Sequence, residues 1–318
     1  MSFRGPGRAY KMAPPQRGDF HAAADRENAG MNPTDPNQNR LIARQIRRNA
    51  DSRDHWDLAC LHRHKVTQLI TDGVTSRDAR LCILGAGNCN DVDLPGLAQH
   101  FAEIHLVDLD AQSLQAAIVK QSMGKDSSIQ LHGDCDLTGV LNALANWSID
   151  TSPAETEFQR VFEQASSFAG PRIPGPFDVV ASVCLLSQLT EAVTVALDEN
   201  HPRFHELLQS IRHRHLRLLV EMTKPGGIGI MVMDFVSSDS APQLSNVAED
   251  QLPFVLSKMI DDRNFFHGLN PAVVASLFQN DPRIAPLVET LDMPKPWLWD
   301  FGVRHYAVTS FKFRRKET

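Results

Sequence analysis

The fold is decided by Leu81-Cys82-Ile83-Leu84-Gly85-Ala86-Gly87, a short apolar run that ends in a glycine turn. The run is too short for an independent helix and is typical of a buried strand. Glycine permits a backbone with φ above zero and lets a ligand approach without a Cβ in the way. Exposed amides beyond such a turn can bind a carboxylate or a phosphate. The stretch therefore predicts a strand that delivers a ligand-binding turn.

Further short runs repeat this pattern, and turn or acidic residues bound them. They are residues 104–107, 128–132, 177–183 and 228–233. Helix-compatible stretches lie between the runs, and the longest carries Leu207, Ile211 and Leu218 at helical spacing. Strands that alternate with helices predict a parallel sheet covered by helices on both faces.

The C-terminus departs from this alternation. Residues 297–301 and 305–313 are both strand-like, and only Gly302-Val303-Arg304 separates them. Three residues are too few for a helical crossover, so the two strands must pair as an antiparallel hairpin.

An acid follows the second strand at a position that suits a nucleoside. Asp108 lies 23 residues after Gly85, and a carboxylate there can accept both hydroxyls of a ribose. Asp110 is close enough in sequence to share that role. The dinucleotide fingerprint requires a glycine where Asn90 stands, which disfavours NAD or FAD. In Gly133-Asp134-Cys135, after the third strand, the carboxylate can accept from an adenine amino group.

Taken together, these motifs resemble those of the class I S-adenosylmethionine-dependent methyltransferases. The resemblance covers roughly residues 81–313, and the order and spacing of the motifs are more specific than any single one. The matching stretches are Leu84-Gly85-Ala86-Gly87, Val107-Asp108-Leu109-Asp110, Gly133-Asp134-Cys135, Phe177-Asp178-Val179-Val180 and Lys224-Pro225-Gly226-Gly227. The resemblance implies an α/β fold, a Rossmann-like three-layer sandwich. Its seven-stranded sheet has the order 3-2-1-4-5-7-6, with an antiparallel C-terminal hairpin.

The resemblance also implies which residues hold S-adenosylmethionine, from which S-adenosylhomocysteine is the product. The turn of Gly85, Ala86, Gly87 and Asn88 would lie by the methionine part of the cofactor. Asp108 would bind the ribose, Leu109 and Cys135 would contact the adenine ring, and Asp134 would bind the adenine amino group. Ser182 and Val183 would lie near the sulfonium, and Arg63 could reach the methionine carboxylate. Cys89 replaces the family's frequent third glycine, and Pro95 predicts that the first helix after the turn begins there.

Methyl transfer from a sulfonium is an in-line displacement, so the protein supplies mainly alignment and, where needed, a base. Three residues are candidates for this role. Gln188 could orient the acceptor, Asp234 ends the fifth strand and could be a base, and His267 lies in the long segment that follows. No spacing of His, Asp or Glu calls for a metal, so we expect none.

The charge of the chain is unevenly distributed. Residues 1–50 hold 9 basic and 4 acidic residues, a balance of +5, whereas the whole chain has −6 and the remainder therefore −11. We predict a disordered basic tail over 1–39 and a methyltransferase domain over 40–318, with N-terminal helices at 40–75 and a lid-like helical segment at 237–296. The leader has no apolar core of a secretory signal, and the five cysteines form no CxxC pair. We therefore expect a cytoplasmic protein with reduced thiols.

The sequence thus predicts methyl transfer to a small-molecule acceptor. One alternative is a methyltransferase-like binding protein without catalysis. A NAD-dependent oxidoreductase is a second, opposed by Asn90 and the hairpin. We expect no membrane partner, because no run approaches ~20 apolar residues. Nucleic acid is disfavoured by the acidic body and by the absence of an Asn/Asp-Pro-Pro-aromatic motif after the fourth strand, although Arg44, Arg47, Arg48 and Arg53 could hold phosphate. The acceptor atom and the oligomeric state stay open.

Overall fold

The computed structural model describes residues 39–317, so the predicted tail over 1–39 lies almost wholly outside the described residues. The strands are β1 Arg80–Leu84, β2 Glu103–Val107, β3 Ile129–His132, β4 Phe177–Val183, β5 Thr223–Ser237, β6 Val288–Asp292, β7 Trp297–Asp300 and β8 His305–Arg315. They form one sheet of order β3-β2-β1-β4-β5-β8-β6, in which β7 also pairs with β8. The strands β1 to β5 pair in parallel, and β8 is antiparallel to β5.

Helices cover both faces of this sheet. They are α1 Arg40–Ser52, α2 Cys60–Thr71, α3 Leu94–Leu97, α4 Ala111–Lys120, α5 Leu141–Leu144, α6 Glu155–Ser167, α7 Leu186–Ala196, α8 Phe204–Met222, α9 Leu252–Asp261 and α10 Pro271–Asn280. One apolar cluster includes Phe177, Leu219 and Phe311, and a second, built from the alternate side chains of the strands, includes Ile83 and Val308. This confirms the predicted α/β class with two helical layers.

The C-terminal hairpin is confirmed, and it is longer than the sequence indicates. β6 pairs with one half of β8, from Val288↔Arg315 to Asp292↔Lys312, and β7 continues with the other half, from Trp297↔Val308 to Asp300↔His305. Both run antiparallel to β8, so they are two parts of one edge strand. Residues 293–296, Met-Pro-Lys-Pro, interrupt it, because proline donates no ladder hydrogen bond and is confined to edges. With β6 and β7 counted together, the strand order is the predicted one.

Two sequence predictions about local structure need correction. Residues 237–296 are not helical throughout: α9 and α10 lie in this segment, but β6 is a strand that pairs with β8. The stretch Lys224-Pro225-Gly226-Gly227 does not precede the fifth strand but lies within β5 as a bulge, since Phe177 pairs with Thr223 and Val179 already with Ile228.

The helix that contains Pro95 is the short α3, which begins at Leu94. Within residues 39–317 no helix is both long and apolar enough to cross a membrane.

Candidate functional site

A cleft opens at the carboxyl ends of the parallel strands, where α/β folds bind ligands. Of the predicted site residues, Gly85, Asp108, Leu109, Cys135 and Gln188 line it. The other lining residues are Gln45, Asn49, Asp136, Leu137, Thr138, Leu141, Leu185 and Leu189. The turn after β1, the end of β2, the loop after β3 and the start of α7 therefore meet at one place.

The turn after β1 has the left-handed backbone for which glycine is suited. Gly85 has φ +75° and Gly87 +47°, and a Cβ on Gly85 would come within 2.8 Å of the Leu185 side chain. The amides of Gly85 and Ala86 both donate to the Val107 carbonyl at the end of β2, at 2.9 and 3.1 Å. These bonds hold the turn beside Asp108.

Asp108 is buried, and its carboxylate is held by the backbone. Oδ2 accepts from the Gly87 amide at 2.8 Å, and Oδ1 accepts from the Asp110 amide at 2.9 Å. Burial raises the pKa of this carboxyl above its ordinary value, and the two backbone hydrogen bonds oppose that rise. The arrangement fixes the direction in which the carboxylate faces the cleft.

Asp110 caps a helix, whereas Asp108 faces the cleft. Asp110 is the N-cap of α4: its Oδ1 accepts from the amides of Gln112 and Ser113, and its Oδ2 accepts from the Ser113 hydroxyl at 2.6 Å. An N-cap aspartate satisfies amides that lack partners in the first helical turn. This engagement leaves Asp108 as the acid available to a ligand.

α1 forms the roof of the cleft, and sequence reasoning missed its contribution. Asn49 Nδ2 lies 3.5 Å from Asp108 Oδ1 and 3.3 Å from Asp110 Oδ2. Gln45 lies one turn earlier, and its Nε2 is 3.5 Å from the Gln188 carbonyl. The Gln45 Oε1 atom is buried and has no hydrogen-bond partner among the described residues. Two amide side chains four residues apart on one helix face are the signal that could have identified this roof.

The loop after β3 supplies the opposite wall. Its Cys135 amide donates to the Asp108 carbonyl at 3.1 Å, which draws the loop against β2. Asp134 has φ +54° and its side chain is exposed, outside the cleft lining. Asp136, which sequence reasoning also missed, accepts from the Thr138, Gly139 and Leu141 amides and so shapes the wall.

The β4 residues predicted near the sulfonium are both in the core. The hydroxyl of Ser182 is hydrogen-bonded to His215 Nε2 on α8 at 2.8 Å, and neither residue is more than 1% exposed. Val183 is buried in the second apolar cluster. Neither lines the cleft, so any contribution from this strand end comes through its backbone.

Arg63 and Asn88 hold the segments that surround the turn. The Arg63 Nη1 donates to the carbonyls of Trp56 and Asn90, at 2.7 and 3.1 Å, and the guanidinium lies over the Trp56 ring. Asn88 Nδ2 donates to the carbonyl of Asn49 and to the hydroxyl of Ser52, both on α1. These bonds join α1 and α2 to the turn after β1.

The three predicted catalytic residues occupy different positions. Gln188 lines the cleft. His267 is half exposed; its Nε2 lies 3.6 Å from Glu199, and its ring packs edge-on against Phe204. Neither Glu199 nor Phe204 lines the cleft. Asp234 is buried near the end of β5, and its Oδ1 accepts from the Ser187 hydroxyl at 2.9 Å. Burial raises the pKa of Asp234 to about 6. In residues 39–317 there is no cluster of three or more His, Cys, Asp or Glu side chains that could hold a metal.

Comparisons with known proteins give similar solved structures at low sequence identity. No protein-family model and no curated protein sequence matches the chain. An O-methyltransferase family protein from Burkholderia thailandensis is 14% identical, with 86% of this chain and 62% of that chain covered at a TM-score of 0.43. Magnesium protoporphyrin IX methyltransferase from Synechocystis, solved with SAH, is 12% identical, with 81% and 83% covered at 0.41. The 1,6-didemethyltoxoflavin-N1-methyltransferase of Burkholderia thailandensis, with bound 1,6-didemethyltoxoflavin and S-adenosylhomocysteine, is 11% identical, with 96% and 94% covered at 0.41.

Proposed function

We propose that this chain is an S-adenosylmethionine-dependent methyltransferase that acts on a small-molecule acceptor. The observation that carries the proposal is the meeting of Gly85 and Asp108 in one cleft, from the carboxyl ends of adjacent strands. Binding of a nucleoside with an extended tail requires two features. A glycine turn lets the tail approach the backbone, and an acid at the end of the next strand binds the ribose. The strand order and the terminal hairpin support the same assignment.

The residues of the cleft fit the cofactor. The Asp108 Oδ2 atom accepts one N–H, from Gly87, and keeps a lone pair for a ribose hydroxyl; Oδ1 accepts from the Asp110 amide and lies 3.5 Å from Asn49 Nδ2, a contact that a second hydroxyl would replace. The unpaired Gln45 Oε1 is a buried acceptor that lacks a donor, which an amino or hydroxyl group of a ligand would supply. Leu109, Leu137 and Cys135 offer an apolar wall of the kind that an adenine ring needs.

Within this proposal the predicted residues take distinct roles. Asp108 binds the ribose, Leu109 and Cys135 contact the adenine, and the exposed Asp134 reaches its amino group after the loop turns inward. The turn from Gly85 through Ala86 and Gly87 to Asn88 lies under the methionine part. Arg63 stands near the methionine carboxylate, and the backbone at Ser182 and Val183 lies near the sulfur.

When bound, the cofactor supplies an activated methyl group on a sulfonium, and the chain supplies alignment. Gln188 orients the acceptor from the start of α7. Asp234 holds or accepts a proton at the end of β5, for which its raised pKa suits it near neutral pH. His267 contacts the acceptor only if the segment that carries it moves towards the cleft. α1 excludes water from above.

Calorimetry with S-adenosylmethionine, S-adenosylhomocysteine and NAD tests the proposal. We expect saturable binding of both sulfur compounds at one site per chain, and none of NAD. Tight NAD binding would instead favour the oxidoreductase that Asn90 argues against. Binding of both sulfur compounds without methylation of any member of a broad acceptor panel would favour the non-catalytic binding protein.

A further inference from the structure

A second group of polar side chains lies beside the cleft, and of its members only Asp234 has a role in the proposal above. Its members are buried or partly buried and come from α2, the loops after β1 and β4, the start of α7, β5 and the edge strand: His62, Asp91, Cys184, Ser187, Asp234 and Trp297. Asp91 lies three residues after Asn88 of the glycine turn, and Ser187 immediately precedes Gln188 of the cleft lining. The group therefore adjoins the proposed methyl-transfer site.

The protonation of His62 is fixed by Trp297. The indole Nε1–H of Trp297 donates to His62 Nδ1 at 3.1 Å, and an indole nitrogen can only donate. His62 Nδ1 is therefore the unprotonated nitrogen, and burial lowers the pKa of His62 to about 3, so the ring is neutral. Its one proton must lie on Nε2, and the ring is held in place by stacking on Trp299, with centroids 4.2 Å apart.

The His62 Nε2 atom, which carries that proton, lies near both Asp91 and Cys184. The His62 Nε2 atom lies 3.6 Å from Asp91 Oδ1 and 4.0 Å from Cys184 Sγ. The Asp91 Oδ1 atom is buried and has no hydrogen-bond partner among the described residues. The side chain of His62 is 0% exposed, whereas that of Asp91 is 27% exposed. Of Trp297, His62 and Asp91, Asp91 is therefore the residue that a bound molecule can contact.

Asp234 approaches the same place from β5. Its hydrogen bond from Ser187 anchors it at the start of α7, and the Ser187 hydroxyl also lies 3.3 Å from the Cys184 carbonyl. Cys184 has φ +47°, a conformation that is costly for a residue with a side chain and often marks a functional site. This turn places residues from the end of β4 and the start of α7 next to Asp91 and Asp234.

We propose that Asp91 is the proton acceptor of the methyl-transfer site and that His62, fixed by Trp297, is the residue that positions it. The inference rests on the proposed function and deepens it. In the transfer, an acceptor X–H gives its proton to the Asp91 carboxylate, and its electron pair forms the X–CH₃ bond. The electron pair of the broken C–S bond stays on sulfur, so the products are a neutral thioether, a methylated acceptor and a protonated Asp91.

The charges around Asp91 suit this role near neutral pH. Burial and the charge of Asp234 raise the pKa of Asp91 to about 7, and Arg63 opposes the rise. The groups that face the two aspartates from the surrounding elements are His62, Arg63, Cys89 and Cys184 at Asp91, and Arg48, Cys184, Ser187, Glu191 and Tyr306 at Asp234. A base that is half protonated at pH 7 accepts and releases a proton with little cost.

The proposal also narrows the acceptor class. A positioned base is useful only when the nucleophile carries a proton, as a hydroxyl, a thiol or an N–H does. A thioether or a tertiary amine attacks with a lone pair already free and needs no base. The acceptor is therefore expected to bear a proton on the atom that is methylated.

Proton release on cofactor binding tests the position of Asp91 without any acceptor. S-adenosylmethionine carries a positive sulfonium and S-adenosylhomocysteine does not, so only the former lowers the pKa of a nearby carboxyl. Calorimetry of the full chain at pH 7, in buffers of different ionisation enthalpy, counts the protons released. We expect about half a proton more for S-adenosylmethionine than for S-adenosylhomocysteine, and the difference should vanish in Asp91→Asn while the affinity for S-adenosylhomocysteine stays unchanged.

Two tryptophans provide a matched pair for the positioning role of His62. Trp297→Phe removes the donor to Nδ1, so that Nε2 no longer has to carry the proton. Asp91 then loses the positive end of an N–H dipole that lies 3.6 Å from its Oδ1 and favours its charged form. The pH at which proton release is half-maximal should then rise. Trp299→Phe keeps an aromatic ring beside His62 and removes only an Nε1–H that has no partner within residues 39–317, so the profile should not move.

Each result has one meaning. Equal proton release for the two sulfur compounds in the wild type, or an unchanged difference in Asp91→Asn, overturns the inference while the proposed function stands. Equal profiles for Trp297→Phe and Trp299→Phe overturn the positioning role. Weaker binding of S-adenosylhomocysteine to Asp91→Asn shows a merely structural aspartate. Failure of the wild type to bind either compound removes the proposed function and this inference with it.

Discussion

The Asp108 carboxylate accepts a hydrogen bond from the Gly87 amide, with 2.8 Å between Oδ2 and N. This bond joins the two elements on which ligand recognition in the cleft depends, the turn after β1 and the acid at the end of β2. A ligand that spans both therefore meets a turn and a carboxylate already fixed in relation to each other, and little ordering is needed when it binds.

Replacement of Asp108 by alanine should weaken binding of S-adenosylmethionine by about 1–3 kcal/mol, because it removes a charged acceptor from two ribose hydroxyls. Calorimetry measures the change. Asp110→Ala is the control, since Asp110 caps α4: it should lower the free energy of unfolding by about 1 kcal/mol and change affinity much less. The reverse ranking of the two variants would assign the ribose to Asp110.

Gly85→Ala should lower the free energy of unfolding by about 1–3 kcal/mol, as measured by chemical denaturation. The residue has φ +75°, and its new Cβ would lie 2.8 Å from Leu185. Gly124→Ala is the matched control, because nothing lies within 4 Å of the Cβ position there and no left-handed φ is involved. Equal stability of the two variants would contradict the strained geometry of the turn.

The parallel strands could be predicted because each is a short apolar run with a turn or an acid at its end, whereas their order is implied by the resemblance to the class I methyltransferases. β1 and β2 are buried on both faces, so residues 81–84 of β1 form a continuous apolar run, and residues 104–107 of β2 form one that only His105 interrupts. The edge strand gives a weaker signal: β6 is half exposed, and Pro294 and Pro296 separate it from β7. The sequence therefore predicts the β7 strand, which has two tryptophans, but not the β6 strand, which lies in a segment that is predicted to be helical.

The site could be predicted where one strand and its turn define it, as at Gly85 and Asp108. It could not be predicted where distant elements meet. Gln45 and Asn49 belong to α1, a helix that is amphipathic but polar on average and has one buried residue, Leu41, so its pattern indicates a buried face without showing which distant strands that face covers. Ser182 shows the converse: it has the expected place in sequence, but β4 directs its side chain towards His215.

Ser182→Ala should lower the free energy of unfolding by about 1–3 kcal/mol and leave the affinity for S-adenosylmethionine unchanged, because it removes the partner of the buried His215 Nε2. Ser310→Ala is a matched control: Ser310 is 0% exposed, and its hydroxyl has no partner in the described part of the chain. That variant should be close to wild-type stability. A loss of affinity in Ser182→Ala without a loss of stability would restore a direct role at the cofactor.

Asp234→Asn should stabilise the protein, and by an amount that grows with pH. Burial raises the pKa of Asp234 from its ordinary 3.8 to about 6 in the folded state. Between these two values the folded protein binds more protons than the unfolded chain, so the wild-type free energy of unfolding falls as pH rises from 3.8 through about 6 and then levels off.

Asparagine does not titrate, and it keeps an acceptor for the Ser187 hydroxyl. The stability gained over the wild type should therefore be small near pH 4 and approach ~3 kcal/mol at pH 8. Chemical denaturation at several pH values measures it. Asp292→Asn, which makes the same substitution at an exposed position of β6, is the control for removing one negative charge. A stability difference for Asp234→Asn that does not change between pH 4 and pH 8 would mean that this carboxyl ionises as readily in the folded protein as in the unfolded chain, and it would remove Asp234 as a proton-holding group beside the cleft.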